Sequence, residues 1–197
     1  MSRSRNKITE RDIQVLETIK YFKCGNVKLL ADLHFEGKNK VLLCQKRMKT
    51  LYDLGKVNRS KRNDCLEPYI YWKNGRMPTN YKHSLKILEL YVHLKKNYDI
   101  IKHEREYEIK YGNGKSLRAD LMAVININGK PTPYLFEVDL SHCYNNKYTE
   151  YIEKGYYKTK FPVPPKIISI SRFTVAKTTT QVPVTVIKQD KIEELVL

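Results

Sequence analysis

What this chain lacks narrows its class before any motif is read. Its four cysteines, Cys24, Cys44, Cys65 and Cys143, are separated by 20, 21 and 78 positions, so no Cys-x-x-Cys pair exists to hold zinc or form a redox dithiol. Reduced, mostly buried thiols are the expectation. The five histidines, His34, His83, His93, His103 and His142, are as scattered, which suits surface or core groups better than a ligand set; only His142 lies beside an acidic motif. No apolar run approaches the ~20 residues of a membrane-spanning helix, and no amphipathic stretch joins a basic face to an aromatic one. The amino terminus, Met-Ser-Arg-Ser-Arg-Asn-Lys, starts positive without the apolar stretch of a secretory leader. A cytoplasmic protein without internal repeats or low-complexity tracts is therefore expected.

Acidic residues are the other shortage. Against 37 Lys and Arg the chain sets 21 Asp and Glu, a formal net charge of +16 over 197 residues. The imbalance is uneven: residues 1–77 hold 18 basic against 8 acidic side chains, net +10, and residues 78–197 hold 19 against 13, net +6. A polyanion partner follows, because Lys and Arg on phosphates release condensed counterions and supply most non-specific affinity for nucleic acid. With 41% hydrophobic residues the chain has enough apolar material for two small domains, 1–77 and 78–197, divided by the turn-rich Asn74-Gly-Arg-Met-Pro.

In the front domain Ile13, Leu16, Ile19 and Phe22 recur at helical spacing behind Thr9, which with Asp12 makes a capping-box start. Cys24-Gly25-Asn26 ends that helix, and Asn26 caps a short second one over 27–33. In a third helix Val41, Cys44, Met48 and Leu51 are expected to face inward, leaving Gln45, Lys46, Lys49 and Thr50 outward, with Gly55 as the stop. Strand-like Lys56-Val-Asn-Arg and Pro68-Tyr-Ile-Tyr-Trp flank the polar Ser60-Lys-Arg-Asn-Asp. This order describes a winged helix-turn-helix, whose third helix enters the major groove while a basic hairpin tip reaches phosphate or the minor groove. Lys46, Lys49, Lys61 and Arg62 are the expected phosphate contacts, Gln45 the base reader, and Leu42 a contact for a thymine methyl. The competing reading is a trihelical protein-interaction module with a solvated lysine face.

Behind position 78 a long amphipathic helix over 81–96 precedes strand signals at 106–111, 121–125 and 134–138, joined by the turns Gly112-Asn-Gly and Asn128-Gly. A helix over 145–158, strands at 166–171 and 182–187 and a closing helix at 190–195 follow. The expected fold is thus α+β or α/β: a winged helix-turn-helix, then a mixed sheet flanked by helices. On that sheet Arg118-Ala-Asp120 and Phe136-Glu137-Val-Asp139 set carboxylates on neighbouring strands, where Asp120, Glu137 and Asp139 are candidate ligands for magnesium or manganese. Metal-assisted phosphodiester hydrolysis also needs a cation to neutralise the transition state. The usual place for that lysine, two residues after the second acid, holds Asp139. Structural ion pairs with Arg118, Lys147 or Lys154 are the plainer account of the same acids.

Taken together, the helix-turn-helix front, the Arg-Ala-Asp strand, the Phe-Glu-Val-Asp strand and Lys147-Tyr-Thr-Glu-Tyr151 resemble the replication-relaxation family across most of the chain. That resemblance implies a PD-(D/E)xK-like second domain, occurrence on plasmids, phages or conjugative elements, and an acid, Asp139, in the lysine position. It makes Asp120 and Glu137 the paired strand acids and Lys147 a migrated lysine. Leu140-Ser-His departs from it, standing where relatives carry a basic residue and Gly-Thr. Three functions follow as expectations: an accessory DNA-binding protein assisting a replication or transfer initiator, without a cofactor; a divalent-metal-dependent endonuclease using Asp120, Glu137, Asp139 and Lys147; or a transcriptional repressor. A homodimer is expected, as such readers commonly bind palindromes. The tyrosines at 144, 148, 151, 156 and 157 suit either a base-stacking face or core with wetted hydroxyls; Lys147, Lys154, Lys158 and Lys160 give that stretch a basic side.

Overall fold

In the computed structural model, residues 7–60, 68–112, 114–141, 147–172 and 182–197 are described. They form helices, a three-stranded sheet and a five-stranded mixed sheet, an α+β architecture in two compact units, Met1–Val92 and His93–Leu197. The division lies inside the helix Tyr81–Asn97 rather than at the turn-rich break near 78.

The first unit opens with α1 (Glu10–Phe22), whose cap is the expected capping box: Asp12 N–H donates to Thr9 Oγ1 at 3.3 Å, and Asp12 Oδ2 accepts from Thr9 N at 2.6 Å. Its buried side is Asp12, Val15, Leu16, Ile19 and Phe22, so Ile13 is a correction, lying outward at 49% exposure. The inward stripe takes in Asp12 and Val15 in place of Ile13, and the charged Asp12 is buried in its pairing with Arg47. A two-residue strand β1 (Gly25–Asn26) leads to α2 (Val27–His34), where Asn26 Oδ1 accepts from Leu29 N at 3.0 Å.

Next comes α3 (Lys40–Asp53), which buries Cys44, Met48 and Leu51. It ends in a Schellman motif, with Lys56 N donating to Leu51 O and Gly55 N to Tyr52 O, both at 2.9 Å, and Gly55 at φ +65°. Strands β2 (Asn58–Arg59) and β3 (Ile70–Trp72) pair antiparallel, with β1 on the other side of β3, giving the order β1-β3-β2. Val15, Leu16, Ile19, Leu30, Cys44, Met48, Leu51 and Tyr71 make its core. Burial pushes the Cys44 thiol up to about 12, so that cysteine is a reduced packing group as expected. Cys65, Cys143 and His142 lie outside the described residues.

Helix α4 (Tyr81–Asn97) is followed by an antiparallel meander, β4 (Asp99–Tyr111), β5 (Lys115–Ile127) and β6 (Lys130–Asp139). Asn128 and Gly129, at φ +52° and +79°, make the two-residue hairpin turn that Asn-Gly predicts. Among the described residues 147–160 the chain forms a single-turn helix α5 (Thr149–Glu153) and a 3-10 turn at Tyr156–Thr159 in place of one continuous helix, and positions 145 and 146 of the expected helix lie outside the described residues. Gly155 at φ +69° separates the two, a left-handed residue that no continuing helix accepts. Strands β7 (Lys166–Ser171) and β8 (Val184–Lys188) then join β6 in parallel, completing the order β4-β5-β6-β7-β8. The closing helix shrinks to a 3-10 turn at Ile192–Glu194. Tyr148 and Tyr151 are fully buried against Leu135, Ile167 and Phe161, so the tyrosine-rich stretch is largely core. Tyr151 Oη is buried and has no hydrogen-bond partner among the described residues. Among the described residues no helix is long and apolar enough to cross a membrane.

Candidate functional site

The sequence names two places, one in each unit. In the first unit the three inward positions of α3 hold it against the core, which leaves Leu42, Gln45, Lys46 and Lys49 exposed. Thr50 is half-buried and donates to Lys46 O at 3.2 Å. Lys49 Nζ meets Asp53 Oδ2 at 2.6 Å, an exposed pair one helical turn apart that a phosphate can displace at little cost. Val41 is a second correction. Expected inward, it is 45% exposed, and with Leu42 at 49% and Leu43 at 48% it makes three consecutive exposed aliphatics in the first turn. Inward seats at 44, 48 and 51 already fill the helix's share of the core.

Arg47, which no local pattern in the sequence singles out, points away from this face. Its Nε donates to Asp12 Oδ1 at 2.5 Å, a second guanidinium nitrogen pairs with Asp12 Oδ2, and it also reaches Lys7 O at 2.7 Å. Burial by itself would raise the Asp12 carboxyl, but hydrogen bonds from Arg47 and Thr9 outweigh it and hold Asp12 below the usual carboxylate range. The pair clamps α1 to α3 and fixes the direction of the exposed face. Lys61 and Arg62 lie outside the described residues.

In the second unit Asp120 and Glu137 meet where the β5–β6 ladder stops, its last pair being Leu121 with Phe136. Asp120 Oδ2 accepts the Val138 N–H at 2.8 Å, so the side chain takes a backbone donor of β6 just past the end of the ladder. Glu137 is only 6% exposed. Its Oε1 accepts from Tyr148 Oη and lies 2.8 Å from Lys147 Nζ, which also donates to Arg118 O at 2.6 Å. Opposite it on β7 is Ser169, whose buried hydroxyl has no hydrogen-bond partner among the described residues. Burial is the main cause that pushes the Glu137 carboxyl up to about 7, the Asp120 charge adds to it, and Lys147 and Tyr148 pull it back.

Lys147 therefore stands beside Glu137 as the sequence suggested. It does so from the turn just ahead of α5. Among the described residues no three His, Cys, Asp or Glu side chains converge as a ready-made ion site. Asp139 is two strand residues past Glu137, roughly 7 Å along β6, and lies opposite Ser171. The Asp120 carboxylate is folded onto the β6 backbone, and an ammonium already occupies the cation's place at Glu137. In this arrangement Asp120 and Glu137 are each engaged by groups of the protein itself. Tyr148 and Ser169 were not read as members of this cluster, because nothing local in the sequence ties them to Glu137; only the chain's return onto the sheet brings them there.

No protein-family model matches the chain, and no curated protein does. Among solved structures, protein VC1899 from Vibrio cholerae aligns over 92% of this chain and 48% of its own, with a TM-score of 0.43 and 11% identity. The chain thus spans about half the length of that protein, and a likeness this slight supports no assignment of fold or site.

Proposed function

We propose that the protein is a double-stranded DNA-binding accessory factor of a plasmid, phage or conjugative element, assisting a replication or transfer initiator or regulating its operon. In this reading the first unit is a winged helix-turn-helix with α3 as recognition helix, and the second is a PD-(D/E)xK-like scaffold. One observation carries it: α3 turns Leu42, Gln45, Lys46 and Lys49 outward from a stretch with net charge +10. Helix order and the antiparallel β1-β3-β2 sheet support it, since a helix presented this way fits the major groove with lysines left for phosphate. A homodimer on a palindromic site belongs to the same proposal.

The experiment is a duplex titration with the full chain at several salt concentrations. Lys49→Ala should weaken binding to any duplex and lower the salt slope by about one, while Gln45→Ala should change sequence preference. If neither substitution alters DNA binding, α3 is not the reading helix. A footprint across the element's own origin and promoters separates initiation from transcriptional repression.

The endonuclease reading is disfavoured by Glu137, whose Oε1 is taken by Lys147 and Tyr148. Purified protein is expected to leave plasmid DNA intact with magnesium or manganese. Nicking that Asp120→Ala abolishes would reverse this assignment.

A further inference from the structure

The first turn of α3 carries Val41, Leu42 and Leu43, all about half exposed; further along the helix Gln45, Lys46 and Lys49 turn outward, and its last turn adds Tyr52 and Asp53. Exposed aliphatics on such a surface need a reason, for three in succession cost solubility and add nothing to the core beneath. The residues of a recognition helix that meet base edges are those of its N-terminal turns. In the major groove the one apolar feature is the thymine C5-methyl group, which aliphatic side chains contact. Hydrogen-bonding side chains are correspondingly scarce here: Gln45 is the single uncharged reader on the face, and Arg47, the residue type best suited to guanine, is withdrawn into its pairing with Asp12.

We infer that this helix reads its DNA chiefly through thymine methyl groups, with Leu42 at the centre of the contact, Val41 and Leu43 beside it, and Lys46 and Lys49 on the flanking phosphates. The inference rests on the DNA-binding reading above and specifies its ligand: a duplex with thymines clustered in the major-groove segment under α3. Charge complementarity argues for duplex as the occupant over a second copy of the chain, because the patch is rimmed by lysines that a like-charged copy repels. Leu43 also borders a cleft of about 510 Å³ lined by Arg11, Phe35 and Arg47, so its share of the contact is smaller than that of Leu42.

The test enriches duplexes from a random-core pool on the full chain. The winners are then resynthesised with deoxyuridine in place of thymidine, which removes the methyl and keeps the Watson–Crick pairing. Each contacted methyl lost should weaken binding about fourfold, equivalent to ~0.8 kcal/mol for one buried CH₂. Leu42→Ala should erase most of that difference while retaining the salt dependence of binding. Equal affinity for the thymidine and deoxyuridine duplexes overturns the methyl reading but leaves DNA binding intact. No duplex bound even at low ionic strength overturns both. If Leu42→Ala disperses a dimer of the free protein without changing the response to deoxyuridine, the face is a self-association surface and the inference fails.

Discussion

Replacing Glu137 by glutamine should make the protein's stability less dependent on pH, and the structure sets both sign and size. Glu137 is almost fully buried, and its carboxyl moves from an ordinary 4.5 to about 7 in the folded state. Between those values the native protein keeps a proton that the unfolded chain has released. Stability from this group is therefore fully present below about pH 4.5 and is lost as pH rises through about 7. At ~1.4 kcal/mol per pH unit the full loss is about 3–4 kcal/mol. The glutamine side chain keeps the shape and a hydrogen-bonding oxygen for Tyr148 but has no proton to lose. Urea unfolding of both proteins, followed by circular dichroism at intervals from pH 5 to pH 8, supplies the comparison. The unfolding free energy of Glu137→Gln minus that of the parent should rise by about 2–3 kcal/mol across the series, part of the total loss lying below pH 5. His103, held below its ordinary 6.5 by burial and by Lys95, adds stability as pH rises, but it does so in both proteins and drops out of the difference. A difference that stays flat over this range would refute the claim that burial outweighs Lys147 and Tyr148 at this carboxylate.

Lys147→Met should cost more at pH 8 than at pH 5, by about 1–3 kcal/mol, because it strands the ionised Glu137 and leaves the protonated one almost unharmed; equal losses at both pH values would make Lys147 a packing residue. Asp12→Ala should destabilise the first unit by about 3 kcal/mol, since the Arg47 guanidinium loses its buried partner and α1 its cap. A second substitution, Arg47→Met, should recover part of that loss, and strict additivity in thermal denaturation would show that the pair is not coupled. Because Asp12 is held below its ordinary range, the stability it confers is present at neutral pH and fades as pH falls through its folded value.

Local chemistry is where the residues alone sufficed. Thr9 with Asp12, Asn26, Gly55 and Asn128-Gly129 each act within a few residues of their own position, and each caps or turns the chain as its type requires. The apolar, turn-bounded runs within 106–138 and 166–188 likewise led to a mixed sheet, since such runs are a property of the segment itself. Face assignments were less secure. Ile13 and Val41 fit an apolar stripe, yet which side of a helix turns inward depends on what it packs against, and α1 buries Asp12, paired with Arg47, in place of Ile13.

The sequence by itself determined the charge imbalance, the caps and turns, the strands, and the presence of Asp120, Glu137 and Lys147 as chemistry in search of a place. Only the tertiary structure decided what those groups do to one another. It set Lys147 and Tyr148 on one oxygen of Glu137, laid Asp120 against the β6 backbone and left Asp139 further along the strand. The physical reason is that a carboxylate's role depends on burial and on partners that arrive from distant segments, and no local pattern encodes the meeting of residues brought together by the closing of a sheet.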